Sequence, residues 1–170
     1  MSASLIYIHH NGARLYQGGA QDVVELGEQG TNASLIVLCA YEWQPALSSG
    51  ASETRTVSAA PFQEKVVVTA PPNFKFVHCP LDDTMVMPRE KLLKTANLAR
   101  AASKTTAEYL NDGKNVLSTC YEGRNRSGLV SALTLRRLTQ ASPAEIIQLI
   151  RQNRNNALTN DLFQKIIMAL

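Results

Sequence analysis

A chain of 170 residues is long enough to bury one sizeable core and too short for two ordinary domains, so a single domain over 1–170 is expected. Hydrophobic residues make up 45% and charged residues 18%, and no run of about 18 apolar residues occurs, which excludes a disordered or helix-spanning membrane chain. The formal net charge of +3, without a dense Lys/Arg tract, demands no nucleic-acid or lipid partner and leaves an anionic small group compatible.

Cys39, Cys79 and Cys120 are too few, and odd in number, for a disulfide scaffold, so reduced thiols are expected. His9, His10 and His78 show no recognisable ligand spacing, and neither a metal nor a cofactor is expected. The start MSASLIYIHHNG lacks a basic segment and a long apolar core; a secretory signal is not expected, and a cytoplasmic setting is the default.

In chain order, LIYIHHNGARLYQGG places two β-prone runs around Asn11-Gly12, which predicts a hairpin closed by a two-residue turn. AQDVVELGEQG predicts a short helix ending at Gly27 or Gly30, and ASLIVLCA a strand covered on both faces. From Gln44 to Pro61 small and polar residues dominate, and a mobile loop over 44–61 is expected. EKVVVTAPPNFKFVHCPLDD reads as two strands broken at Pro71-Pro72-Asn73, the second delivering Asp82-Asp83 to a strand end. Beyond Pro88, Leu92, Ala96, Ala99, Ala102, Thr106 and Tyr109 recur near helical spacing until Asn111-Asp112-Gly113. KNVLST is the next strand. Ser142-Pro143-Ala144-Glu145 carries a capped helix start, and a last helix follows Thr159 or Asn160 with Leu162, Phe163, Ile166 and Ile167 inward. Strands separated by helices predict an α/β layered domain.

The chemistry concentrates in NVLSTCYEGRNRSGLVSALTL. An apolar strand, a short loop and a helix beginning near Ser127 can aim successive backbone N–H groups at one spot, where the helix N-terminus adds partial positive charge. That spot suits an anion. Gly123 supplies backbone angles that a side chain resists, Gly128 lets the helix start pack closely, and Arg126 offers a fork of donors for two phosphate oxygens. Cys120 meets the same field at the strand end, a setting that favours thiolate over thiol and makes it the candidate nucleophile. Ser127 can hydrogen-bond the sulfur. Asp83, with Asp82 beside it as the alternative, is the candidate proton donor to a leaving oxygen. The glycine spacing also matches a nucleotide-binding loop, but Leu129 and Val130 stand where that loop needs Lys and Ser/Thr.

The stretch CYEGRNRSG resembles the Cys-x5-Arg-Ser/Thr signature of the cysteine-based protein tyrosine phosphatase superfamily. RLYQGG, SLIVLCAYEWQP, CPLDDT and IRQNRNNALTNDLF are similar to successive segments of its dual-specificity branch, so the likeness runs along nearly the whole chain apart from 44–61. It implies a central, mainly parallel twisted sheet of about five strands flanked by helices. It also implies metal-independent phosphomonoester hydrolysis through a phosphocysteine, with Cys120 as nucleophile, Arg126 as phosphate clamp and Asp83 as acid. Tyr121, Glu122, Gly123, Arg124, Asn125 and Gly128 then complete the phosphate-binding loop. Cys39 stands where some members keep a redox partner for the nucleophile, and a buried apolar role is its other reading. Thr119 replaces the family's usual histidine, so the thiolate is expected to be stabilised less strongly or differently. Glu122 repels phosphate unless it points away or pairs with Arg124. Asn160 either orients the hydrolytic water or caps a helix, and Arg151 and Arg154 read as a solvated helix face, with bracing of the site by one of them as the other reading.

The implied partner is a phosphorylated protein or peptide, on phosphotyrosine and also phosphoserine or phosphothreonine, with phosphate or another oxyanion in the loop. Nucleic acid is not expected, although Asn125-Arg126 resembles the RNA 5′-triphosphatase members. A phosphoinositide phosphatase, a phosphate-capturing pseudophosphatase and a sulfurtransferase, which has no use for Asp83, are the other readings.

Overall fold

The computed structural model describes residues 3–19, 22, 32–40, 43–46, 54–59, 64–69 and 75–169. Strands β1 (Ser4–Ile8), β2 (Arg14–Gly18), β3 (Ala33–Ala40), β7 (Lys75–Leu81) and β8 (Asn115–Thr119) form a five-stranded sheet in the order β1-β2-β8-β3-β7. All pairings are parallel except β1 with β2. The mainly parallel five-stranded sheet is therefore as expected. Helices α1 (Arg89–Asn111), α2 (Arg126–Leu138), α3 (Pro143–Asn153) and α4 (Asp161–Ala169) pack on it and on one another.

The centre of the sheet follows from its residues. Seven of the eight β3 residues, from ASLIVLCA, are buried, and Val116 and Leu117 of neighbouring β8 are fully enclosed. Strands buried on both faces need such unbroken apolar runs. Helix α2 contributes Leu129, Val130, Leu133 and Leu135 to the same core, each worth about 1.5–3 kcal/mol in buried side chain. Helix α4 adds Phe163, Ile166 and Ile167, while Leu162 is only half-buried.

Two expectations change. The first hairpin closes with three residues rather than two: His9 N–H donates to Ala13 O (2.7 Å), Gly12 N–H donates to His9 O (2.8 Å), and of Asn11-Gly12 only Gly12 takes positive φ (+90°). A turn with one left-handed residue after a helical pair needs the extra residue. The loop expected over 44–61 contains strands β4 (Trp43–Ala46) and β5 (Thr54–Ala59), which pair antiparallel with each other and through β5 with β6 (Glu64–Thr69). The Thr54–Val57 stretch carries β-branched residues, and its pairing partner is the Val-rich 64–69 segment beyond the supposed loop. The helix expected over 20–30 lies outside the described residues except for Asp22. Among the described residues no helix is long and apolar enough to cross a membrane.

Candidate active site

The C-terminal ends of parallel strands face one edge of the sheet, where open α/β sheets place their ligands. Strands β2 and β8 end in register, Gly18 opposite Thr119, and β7 ends at Leu81. Three segments thus meet there: Gly18-Gly19 after β2, Pro80 to Thr84 across the end of β7, and the loop 120–125 between β8 and α2.

Cys120 is 3% exposed, its N–H donates to Gly18 O (3.3 Å), and its Sγ lies 3.3 Å from Ser127 Oγ in the first turn of α2. Arg126, the first residue of that helix, is buried beside it. The backbone at Gly123 has φ +71°, and a Cβ there would lie 2.4 Å from the Gly18 carbonyl carbon; conformation and space both require glycine. Gly128 serves close approach, since an added Cβ would stand 3.0 Å from the Leu158 side chain. Tyr121 is half-exposed at the rim, and Glu122 pairs with Arg124 at 3.3 Å.

The loop is braced from far away in sequence. Gln17 Nε2 donates to Gly123 O (2.9 Å), and Arg154 Nη2 donates to Glu122 O (3.0 Å). Arg154 is 4% exposed, so the solvated-face reading is corrected for it and the bracing alternative is the one that fits. Arg151 holds the next turn by donating to Ala157 O (3.2 Å) and Leu158 O (2.8 Å). Sequence reasoning passed over Gln17 altogether; the only signal for it is its place beside Gly18-Gly19 at a strand end.

The two acidic residues part company. Asp82 pairs with Lys91 of α1 at 2.5 Å. Asp83 accepts from Asn125 Nδ2 (3.1 Å) at one oxygen and from Asn160 Nδ2 (2.8 Å) at the other, which ties it to the loop. Asn160 is in its helix-capping setting: its Oδ1 accepts from Leu162 and Phe163 N–H (3.0 and 3.3 Å) at the start of α4, while its amide nitrogen donates to Asp83. Asn125 occupies the N-cap position of α2 but makes no side-chain cap. Its Oδ1 accepts instead from Thr159 N–H (2.7 Å) and Asn160 N–H (3.2 Å). The side chain of Asn125 therefore supplies no acceptor to the first turn of α2, whose N–H groups are suited to an anion.

Thr119 is fully buried and donates its hydroxyl to Val37 O (3.1 Å), so it is directed at β3 rather than at the sulfur of Cys120. Cys39 is fully buried, with Sγ 3.8 Å from Ser118 Oγ, and Ser118 Oγ donates to Ser127 O (3.1 Å). Burial, and then the neighbouring Cys79, push the Cys39 thiol well above its ordinary range. All three cysteines are free thiols.

No family model and no curated protein matches the sequence. Solved structures do match. Human DUSP28 superposes with a TM-score of 0.67 at 17% identity, over 97% of this chain and 90% of that one. OH1 from the Orf virus, described as a tyrosine phosphatase with triple substrate specificity, gives 0.63 at 19%, over 99% and 85%. The PTP-2 phosphatase of Cydia pomonella gives 0.64 at 17%, over 99% and 89%. The chain has the fold of these phosphatases.

Proposed function

We propose that this chain hydrolyses phosphomonoesters through a phosphocysteine, acting on phosphotyrosine and on phosphoserine or phosphothreonine of proteins or peptides. The observation that carries this reading is the joining of two loops: Cys120 faces Ser127 at the uncapped start of α2, and Asp83 is hydrogen-bonded to Asn125 of the same loop. The loop amides and Arg126 would hold the three outer oxygens of the phosphoryl group while the Cys120 thiolate attacks phosphorus in line. Asp83 gives its proton to the departing alkoxide or phenolate. Water then hydrolyses the phosphocysteine, with the Ser127 hydroxyl donating to the sulfur as the thiolate leaves. No step requires a metal ion.

The Glu122–Arg124 pair bears on substrate, because it neutralises charge at the loop rim and so disfavours triphosphate ends and polyphosphorylated lipid headgroups. Asn125, the residue behind the RNA-triphosphatase resemblance, has its side chain engaged by Asp83, Thr159 and Asn160. The second reading is a phosphate-capturing module without turnover. Thr119 favours it, since its hydroxyl is directed to Val37 O.

The test is hydrolysis of an aryl phosphate in the presence of a chelator. Cys120→Ser is expected to lose at least about 10³-fold in kcat, and Asp83→Asn about 10²- to 10⁴-fold with KM little changed. Chelation leaves the parent rate unaltered. Full turnover in Cys120→Ser would remove the mechanism, whereas no turnover in a parent that still binds phosphate would favour the capturing module. Phosphate release from triphosphate-ended RNA but not from phosphotyrosine peptide would reassign the substrate.

A further inference from the structure

The side chain of Gln17 is fully buried beneath the Cys120 loop, on β2 at the position paired with Ser118. Its Nε2 donates to Gly123 O (2.9 Å) and, at longer range, to Arg124 O (3.4 Å). A Cβ on Gly128 would stand 3.5 Å from the same nitrogen, so the amide is seated between the loop and the first turn of α2. Its Oε1 is buried and has no hydrogen-bond partner among the described residues. A buried acceptor left unused is costly, and an apolar side chain of similar length would fill the space without it. The donor end, rather than packing, therefore accounts for a glutamine here. Turned over, the amide would set its oxygen against two carbonyl oxygens, which fixes its orientation.

A trans peptide holds its C=O and the following N–H on opposite sides. Three successive peptide units of the loop have their carbonyls engaged by buried residues: Glu122 O by Arg154 Nη2 (3.0 Å), Gly123 O by Gln17, and Arg124 O by Leu158 N–H (3.3 Å) as well as Gln17. The N–H groups of Gly123, Arg124 and Asn125 are thereby turned the other way. Among the described residues, none of the three donates to a protein acceptor. Gln17 acts on the second and third of these units at once.

We propose that Gln17 is a positioning residue for phosphoryl transfer, which aims the Arg124 and Asn125 amides at the oxygens of the phosphoryl group. This role presupposes the phosphomonoester hydrolysis proposed for the Cys120 loop and places part of its geometry in β2. Donors fixed in advance need no reorganisation as charge develops. Letting two of them swing by about 1 Å forfeits that advantage.

The experiment compares the full chain with Gln17→Met and Gln17→Leu, two apolar replacements of similar size, so that one reports should the other not fold. Both are expected to lower kcat on an aryl phosphate by about tenfold to a hundredfold, with a smaller change in KM. Calorimetric binding of orthovanadate, which takes up the five-coordinate geometry of the transferring group, weakens by a similar factor. Denaturant midpoints stay near the parent's, because the unpartnered Oε1 leaves together with the donor. A merely structural Gln17 gives the opposite pattern, a lowered midpoint with kcat and vanadate binding kept, and that result overturns the proposal. Failure of both variants to fold does so too, since the core would then be what needs the side chain. Variants that match an active parent in kcat and vanadate binding sink the positioning role and leave the phosphatase reading standing. A parent that binds vanadate without turnover removes that reading instead; weaker vanadate binding by the variants then still supports the role of Gln17, and equal binding overturns it.

Discussion

Helices α2 and α3 both begin with a residue suited to capping, Asn125 and Ser142, and only one of them caps. At α3, Ser142 Oγ accepts from Glu145 N–H (3.2 Å) while a Glu145 carboxylate oxygen accepts from Ser142 N–H (2.7 Å), a closed capping box at the surface. At α2, Asn125 turns its side chain to Asp83 and to the 159–160 turn. The same local chemistry thus serves stability in one helix and leaves the other N-terminus available. A helix start whose N-cap side chain turns away is the arrangement that the proposed anion binding would use.

The largest break of this contrast comes from Gly123→Val. Its side chain meets the Gly18 carbonyl and a positive φ together, so a loss of at least about 2 kcal/mol in denaturant unfolding is expected, together with loss of oxyanion binding at the loop. Asn125→Ala sharpens it. Freeing Asp83 from the loop lowers kcat about tenfold to a hundredfold, read as kcat against an almost constant KM. Ser142→Ala is the counterpart and costs about 1 kcal/mol in stability, with kcat unchanged. The smallest effect is one of pH. The Ser142 backbone N–H, then its hydroxyl, lower the Glu145 carboxyl below its ordinary 4.5. The stability it adds is therefore complete above that value and disappears as the pH falls through the lowered one. A pH series of melts should show the difference between parent and Glu145→Ala shrinking on the acid side, and a difference that persists there would argue against the box.

What the sequence disclosed is what is contiguous in it. Strand, loop and helix around Cys120 occupy one run, and Asp83 follows directly on the end of β7, so their meeting required only that parallel strands end along one edge. Bracing by Gln17 was hidden, and bracing by Arg154 was only one of two readings, because the partners are distant: Gln17 reaches Gly123, and Arg154 reaches Glu122, Ser4 and Gln17. Arg154 also defeats helical extrapolation, since α3 stops at Asn153 and Arg154 is extended at φ −138°, ψ 107°, which turns its side chain inward. The strands in 43–59 escaped for a related reason. They are held by cross-strand pairing, β4 with β5 and β5 with 64–69, which a local count of large apolar residues does not register.

Asn160 makes one amide group answer to two masters: its oxygen secures the beginning of α4, and its nitrogen restrains Asp83. Fraying at the start of α4 would then remove one of the two side-chain hydrogen bonds that hold Asp83, leaving the one from Asn125. If the proposed chemistry holds, warming should lower turnover before the sheet melts, because Asn160 joins the start of the C-terminal helix to Asp83.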